Sequence, residues 1–166
     1  MISYLDSSAL IKLYVVEAGS DRVSGYARGL PHPIPFSHLH ELEMKNALEL
    51  KLFRREATAN AVDASVRAID EDFAAGVLSR PELNWFDVFR RASRLAREHS
   101  SKIGCRSLDL LHVASALVLE ATTFLTFDDR QARLARATGL EAAGRRPRSA
   151  RRRLFTAPSG RISITK

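Results

Sequence analysis

Four times along this chain a short run suited to a β-strand is followed at once by a stretch of helical period, and that alternation limits the folds available to it. ISYLD leads into SSALIKLYVVE, where Leu10, Leu13 and Tyr14 recur at helical spacing. IPFS leads into HLHELEMKNALELKLF, with Ser37 placed to cap the helix. LNWF leads into DVFRRASRLAREHS, whose apolar face carries Val88, Ala92, Leu95 and Ala96. TTFLTF leads into DRQARLARAT, a short helix ended by Gly139, and LEAA is a candidate last strand. A further helix is expected over residues 57–75, with Val62, Val66, Ile69 and Phe73 on one face. SLDLLHVASALVLE is apolar nearly all round, which places it at the centre of the molecule. Strands alternating with helices in this way form an α/β sandwich around a mostly parallel sheet.

The 166 residues suit one domain, and a chain of that size buries roughly 70 % of its unfolded surface, enough for a core without staples. Cys105 is the single cysteine, so no internal disulfide can form and a reducing, cytoplasmic setting is expected. MISYLDSSALIKLYVV has no basic leader, and Asp6 and Lys12 interrupt its apolar run, so neither a signal peptide nor a membrane span is expected. The net charge of +7 points to an anionic partner, and its distribution is uneven. Arg145, Arg146, Arg148, Arg151, Arg152, Arg153, Arg161 and Lys166 crowd the end of the chain with no acid among them. Without those eight, 18 basic residues face 19 acids. We therefore expect a nearly neutral domain over residues 1–144 and a basic, flexible tail over residues 145–166.

In open parallel sheets, ligands gather beyond the carboxyl ends of the strands, which directs attention to the residues just after each strand. Asp6 follows the first strand and Asp128 follows TTFLTF; either could instead cap the helix it precedes. Glu43 is harder to explain away. Glu41, Lys45 and Glu49 make a solvated face at i, i+4 spacing, whereas Glu43 shares a row with Leu39, Ala47 and Leu50. A carboxylate on an apolar face needs a partner. Asp109 poses the same question beside Val113, Ala116 and Leu117, with a first-turn acid behind a Ser107 cap as the plainer explanation. Two carboxylates ~5 Å apart repel by about 3 kcal/mol at an effective dielectric of ~20. A divalent cation offsets such repulsion, and an all-oxygen donor set favours Mg²⁺ or Mn²⁺ over zinc. Such a site suits phosphodiester hydrolysis, in which the metal activates water and stabilises the leaving oxygen.

YLDSSALIKLY, ELEMKNAL, SLDLLHVASAL and TFDDRQARLA resemble, in order, the successive motifs of PIN-domain nucleases, and the likeness spans roughly residues 2–143. It is closest in kind to VapC-like toxins of type II toxin–antitoxin systems. The resemblance implies a three-layer α/β/α sandwich and a metal site formed by Asp6, Glu43, Asp109 and Asp128. Ser7 and Thr126 become nearby hydroxyls, and Asp129 a possible substitute for Asp128. It also implies an RNA substrate, a cognate antitoxin and a homodimer. The long arginine-rich end departs from the family pattern; Arg145, Arg146, Arg148, Arg151, Arg152 and Arg153 are candidates for holding RNA phosphates.

Other readings remain open at this point. A processing nuclease without antitoxin fits the same acids. A phosphohydrolase using Asp6 as nucleophile fits less well, because Asp6-Ser7-Ser8 lacks a second aspartate two residues on. A catalytically silent RNA-binding module is opposed by the presence of all four acids. His112, three residues after Asp109, reads first as a packing histidine. His38 and His40 with Glu41 do not form a metal cluster, since i, i+2 positions on a helix diverge. Trp85 reads as core, and Cys105 has no identifiable base.

Overall fold

The computed structural model describes residues 1–144. The tail beginning at Arg145, with its six candidate phosphate-binding arginines, lies outside the described residues. The elements run β1 (Ile2–Leu5), α1 (Ser7–Tyr14), α2 (Ser20–Arg28), β2 (Ile34–Pro35), α3 (His38–Phe53), α4 (Ala59–Ala74), β3 (Leu78–Ser79), α5 (Trp85–Ile103), α6 (Ser107–Val118), β4 (Ala121–Leu125), α7 (Asp129–Ala137) and β5 (Glu141–Ala143). Strands β1, β4 and β5 form one parallel sheet in the order β1-β4-β5, and β2 pairs with β3 in a second parallel sheet. β2 lies against β1.

Strand periodicity divides the core in two. Tyr4 and Phe124 point to one side of the sheet, where their rings stack at 5.5 Å among Val88, Leu95, Val113 and Leu134 of α5, α6 and α7. Their neighbours Leu5 and Leu125 point to the other side, among Leu10, Val23, Met44 and Val62 of α1 to α4. Helices on both faces of a parallel sheet make the expected three-layer α/β/α sandwich. α6 is central, with His112, Val113, Ala114, Ser115 and Ala116 in succession buried.

Three local expectations are corrected. LNWF is not a strand. Asn84 instead caps α5, its side-chain carbonyl accepting from the N–H groups of Phe86 and Asp87 at 3.1 and 3.4 Å, so the helix begins at Trp85. The strand of this region is the two-residue β3, ahead of Pro81. α2 was not expected, since SDRVSGYAR holds few apolar residues and an internal glycine; docking of Val23 and Ala27 into the core and a Tyr26–Ser3 hydroxyl bond of 3.1 Å hold it. Finally, Ser107 does not cap α6. The backbone N–H of Arg106, the N-cap residue, donates to Asp109 Oδ2 at 2.7 Å, so Asp109 itself closes this helix end.

Glu17 joins the first helix to the third by accepting from both Lys12 and Lys51, the latter at 3.1 Å. Burial works against its charge, but the two lysines hold its carboxyl below the usual glutamate range. A carboxyl lowered in the folded state contributes stability above its unfolded value of about 4.3, and that contribution is lost as pH falls through the folded value. Glu17→Gln is expected to cost about 1 kcal/mol at pH 7. Urea unfolding of both proteins at pH 7 and pH 3 tests this: the difference should shrink towards zero at pH 3, and an equal difference at both would remove the ion pairs as its cause.

Candidate active site

Because all the strands are parallel, their carboxyl ends share one edge, and the polar side chains converge there. Asp6 leaves β1 and caps α1. It is fully buried: Oδ1 accepts from the Ala9 N–H at 2.9 Å and from Ser8 Oγ at 2.8 Å, and Oδ2 accepts from Thr126 Oγ1 at 2.7 Å. Burial pushes its carboxyl above the ordinary aspartate value, opposed by nearby His112 and by the hydroxyls of Thr126 and Ser8. No lysine or arginine reaches it among the described residues. Asp6 thus caps α1, one of the two explanations open from the sequence, and also stands at the candidate site.

Thr126 carries the network across to β4. Besides donating to Asp6, its Oγ1 accepts from the Asp128 N–H at 3.0 Å. Asp128 caps α7 through the N–H groups of Arg130 and Gln131 at 2.7 and 3.3 Å. Its carboxyl is held low: burial raises it, and those N–H groups and the Arg130 guanidinium outweigh that. Asp129 is the exposed first residue of α7. Asp109, buried at the start of α6, accepts from Gln131 Nε2 at 3.2 Å.

Glu43 reaches the same edge from α3. It accepts from Ser7 Oγ at 2.7 Å and from Nε2 of His112. Burial raises its carboxyl, but the His112 hydrogen bond, with the Ser7 hydroxyl, brings it below the usual glutamate range. The structure thus brings His112 to Glu43 at the candidate site, where the sequence favours a packing histidine. One neutral tautomer suits both partners: Nε2–H donates to the Glu43 carboxylate, and Nδ1 accepts from the Tyr4 hydroxyl at 2.9 Å. Burial raises the Tyr4 phenol well above its ordinary value and keeps it a donor. His40 is structural. Its Nε2–H donates to the Leu5 carbonyl and its Nδ1 accepts from the Ser37 N–H, each at 2.9 Å, and burial holds it well below the usual histidine range. Glu41 pairs with Lys45 at 2.7 Å and Arg80 at 2.8 Å, away from this chain of contacts.

A polar chain thus runs from Glu43 through Ser7 and His112, and from Asp6 through Thr126 to Asp128. No set of three or more His, Cys, Asp or Glu groups among the described residues stands close enough to enclose a metal ion as it is. The donor chemistry nevertheless fits a hard divalent cation: carboxylates and hydroxyls on one edge, with the Arg130 guanidinium within 3.9 Å of Asp109 and 3.4 Å of Asp128 where a cation is called for.

The PIN domain family model matches residues 3–137, most of the chain, including Asp6, Glu43, Asp109, His112, Thr126 and Asp128. The chain belongs to the PIN domain family. PIN domains are generally nucleases. Solved structures that share the fold include the following two. The crystal structure of FitAcB from Neisseria gonorrhoeae aligns at a TM-score of 0.60 and 15% identity, covering 85% of this chain and 96% of that one. VapBC-1 from nontypeable Haemophilus influenzae aligns at 0.56 and 20% identity, covering 87% and 98%. Among curated proteins, none matches.

β5 completes this edge. The Thr126 N–H donates to the Ala143 carbonyl at 3.0 Å, and Gly144 follows at φ +129°. A Cβ at Gly144 would lie 1.9 Å from the Thr126 carbonyl oxygen, so only glycine lets the chain leave the sheet here. No helix among the described residues is long and apolar enough to cross a membrane.

Proposed function

We propose that this PIN domain is a divalent-metal-dependent endoribonuclease, hydrolysing RNA phosphodiester bonds, and that it is the toxin of a VapC-like toxin–antitoxin pair acting in the cytoplasm. The observation that carries the reading is Asp6: a fully buried carboxylate, raised by burial, linked through Thr126 to Asp128 and one residue from the hydroxyl that holds Glu43. Asp6, Glu43, Asp109 and Asp128 are the residues to hold Mg²⁺ or Mn²⁺. When bound, such an ion supplies Lewis-acid activation of water and neutralises charge at the phosphate. The chain's own part is orientation. Thr126 and Ser8 aim the Asp6 oxygens, His112 and Ser7 aim Glu43, and Gln131 aims Asp109.

The test is to express the protein, sequence newly formed RNA 5′ ends, and compare them with an Asp6→Asn control. New ends that require Mg²⁺ or Mn²⁺ and disappear in the control support the reading, whereas release of phosphate from small esters without RNA cleavage favours the phosphohydrolase.

A homodimer and a neutralising antitoxin belong to the same reading, and the structural neighbour named VapBC-1 supports looking for a partner chain. A groove of ≈ 200 Å³ between α3 and α4, where apolar Met44, Leu48, Ile69 and Phe73 are joined by charged Glu41, Lys45, Asp70 and Arg80, suits an amphipathic partner helix.

The basic tail is assigned to RNA affinity rather than chemistry. Ala143 is bonded to Thr126, so the described residues end beside the acidic edge. Each arginine that neutralises a phosphate adds about 0.7 to the slope of log affinity against log salt on a single strand. Ending the chain at Gly144 should flatten that slope by about 2–4 for three to six contacts and leave the cut position and metal requirement unchanged. An unaltered slope in filter-binding titrations would remove the tail from the interface.

A further inference from the structure

One cation at this edge is not where helix electrostatics alone would put it. Arg130 is the second residue of α7, next to the positive end of the helix dipole, where a basic side chain is disfavoured. Its guanidinium instead lies between two acids from different elements, Nε 3.9 Å from Asp109 Oδ2 and Nη2 3.4 Å from Asp128 Oδ2. Gln131 ties the same two carboxylates, its side-chain amide donating to Asp109 and its backbone N–H to Asp128. The other half of the network has a different composition: Asp6 is held by hydroxyls and a backbone N–H, and Glu43 by Ser7 and His112. A full, permanent positive charge therefore sits on one half only, on a side chain about one-third exposed and able to turn outward.

We propose that Arg130 is the built-in counter-ion of the site, occupying the Asp109–Asp128 side when no divalent ion is bound and competing with the ion for those two carboxylates. Once displaced, the guanidinium is free to pair with a phosphate of the bound strand, for which its planar fork is suited. Metal and RNA then assist each other: the ion releases Arg130, and the phosphate keeps it from returning. The proposal rests on the reading of the four acids as a metal site.

The test is Mn²⁺ titration by calorimetry of the full chain, as wild type, Arg130→Gln and Arg130→Lys, with thermal melts in the absence of metal. Arg130→Gln is expected to bind Mn²⁺ about fivefold more tightly and to melt at a lower temperature without metal. Arg130→Lys, which keeps the charge, should stay within about twofold of wild type. A 2′-O-methyl oligoribonucleotide, which presents phosphates but resists cleavage, should tighten Mn²⁺ binding to wild type and have a smaller effect on Arg130→Gln. Equal or weaker Mn²⁺ affinity in Arg130→Gln overturns the proposal and leaves the metal site standing. Absence of Mn²⁺ binding in both proteins overturns the metal site and the proposal together.

Discussion

Asp6→Asn is expected to lower RNA cleavage by about 10²–10³-fold without unfolding the protein. The two halves of that expectation come from the same geometry. Asparagine is as good a helix cap as aspartate and keeps an oxygen for the Ala9 N–H, so α1 retains its start. What is lost is the negative charge at the carboxyl end of β1. The carboxyl of Asp6 is raised in the folded state, so its stabilising contribution is complete only below the unfolded value of about 3.9 and is lost as pH rises through the folded value. At neutral pH the ionised group is thus a net cost to the metal-free fold. Asp6→Asn should raise the metal-free melting temperature by about 2–4 °C, and Mg²⁺ should narrow the gap by stabilising wild type alone. Glu41→Gln is the control, since Glu41 pairs only with surface partners, Lys45 and Arg80 among them. Full activity in Asp6→Asn, or a comparable loss in Glu41→Gln, would overturn the assignment.

What could be read from the chain depended on whether the deciding interaction was local. Asp6 and Asp128 were legible because each immediately follows a run with a strong β pattern and precedes a helix. Glu43 was legible because it interrupts an apolar row that its neighbours Glu41 and Lys45 avoid. α2 was not legible, since what holds it is tertiary: Val23 and Ala27 enter a core built by α1, α3 and α4, and nothing within SDRVSGYAR announces that. β3 is two residues long, below the length at which alternation can be seen. LNWF misled because aromatic β-propensity was weighed above the capping capacity of Asn84. His112 was seen as a candidate and set aside, because its partners lie 69 and 108 residues away, at Glu43 and Tyr4. Arg130 was not singled out, as its two acids come together only when the starts of α6 and α7 meet.

His112 carries the second large expected effect, because one ring serves both stability and the site. Its side chain is only 1% exposed, Nδ1 takes the buried Tyr4 hydroxyl, and Nε2–H holds Glu43. His112→Ala removes both contacts and leaves a cavity beneath the sheet edge, an expected loss of about 3 kcal/mol. The two amide replacements separate the roles. An asparagine carbonyl can stand near the position of Nδ1 and accept from Tyr4, but it cannot reach Glu43. A glutamine amide can stand near the position of Nε2 and donate to Glu43, but it leaves Tyr4 without that acceptor. His112→Asn is therefore expected to keep more of the stability and lose more of the activity, and His112→Gln the reverse. Without the imidazole, the Glu43 carboxyl loses the interactions that bring it below the usual range, so the acidic limb of cleavage in His112→Asn should move to higher pH. Melting curves and pH–rate profiles on the three variants measure both roles. Equal losses in Asn and Gln variants, with unchanged pH profiles, would mean that the ring only fills space.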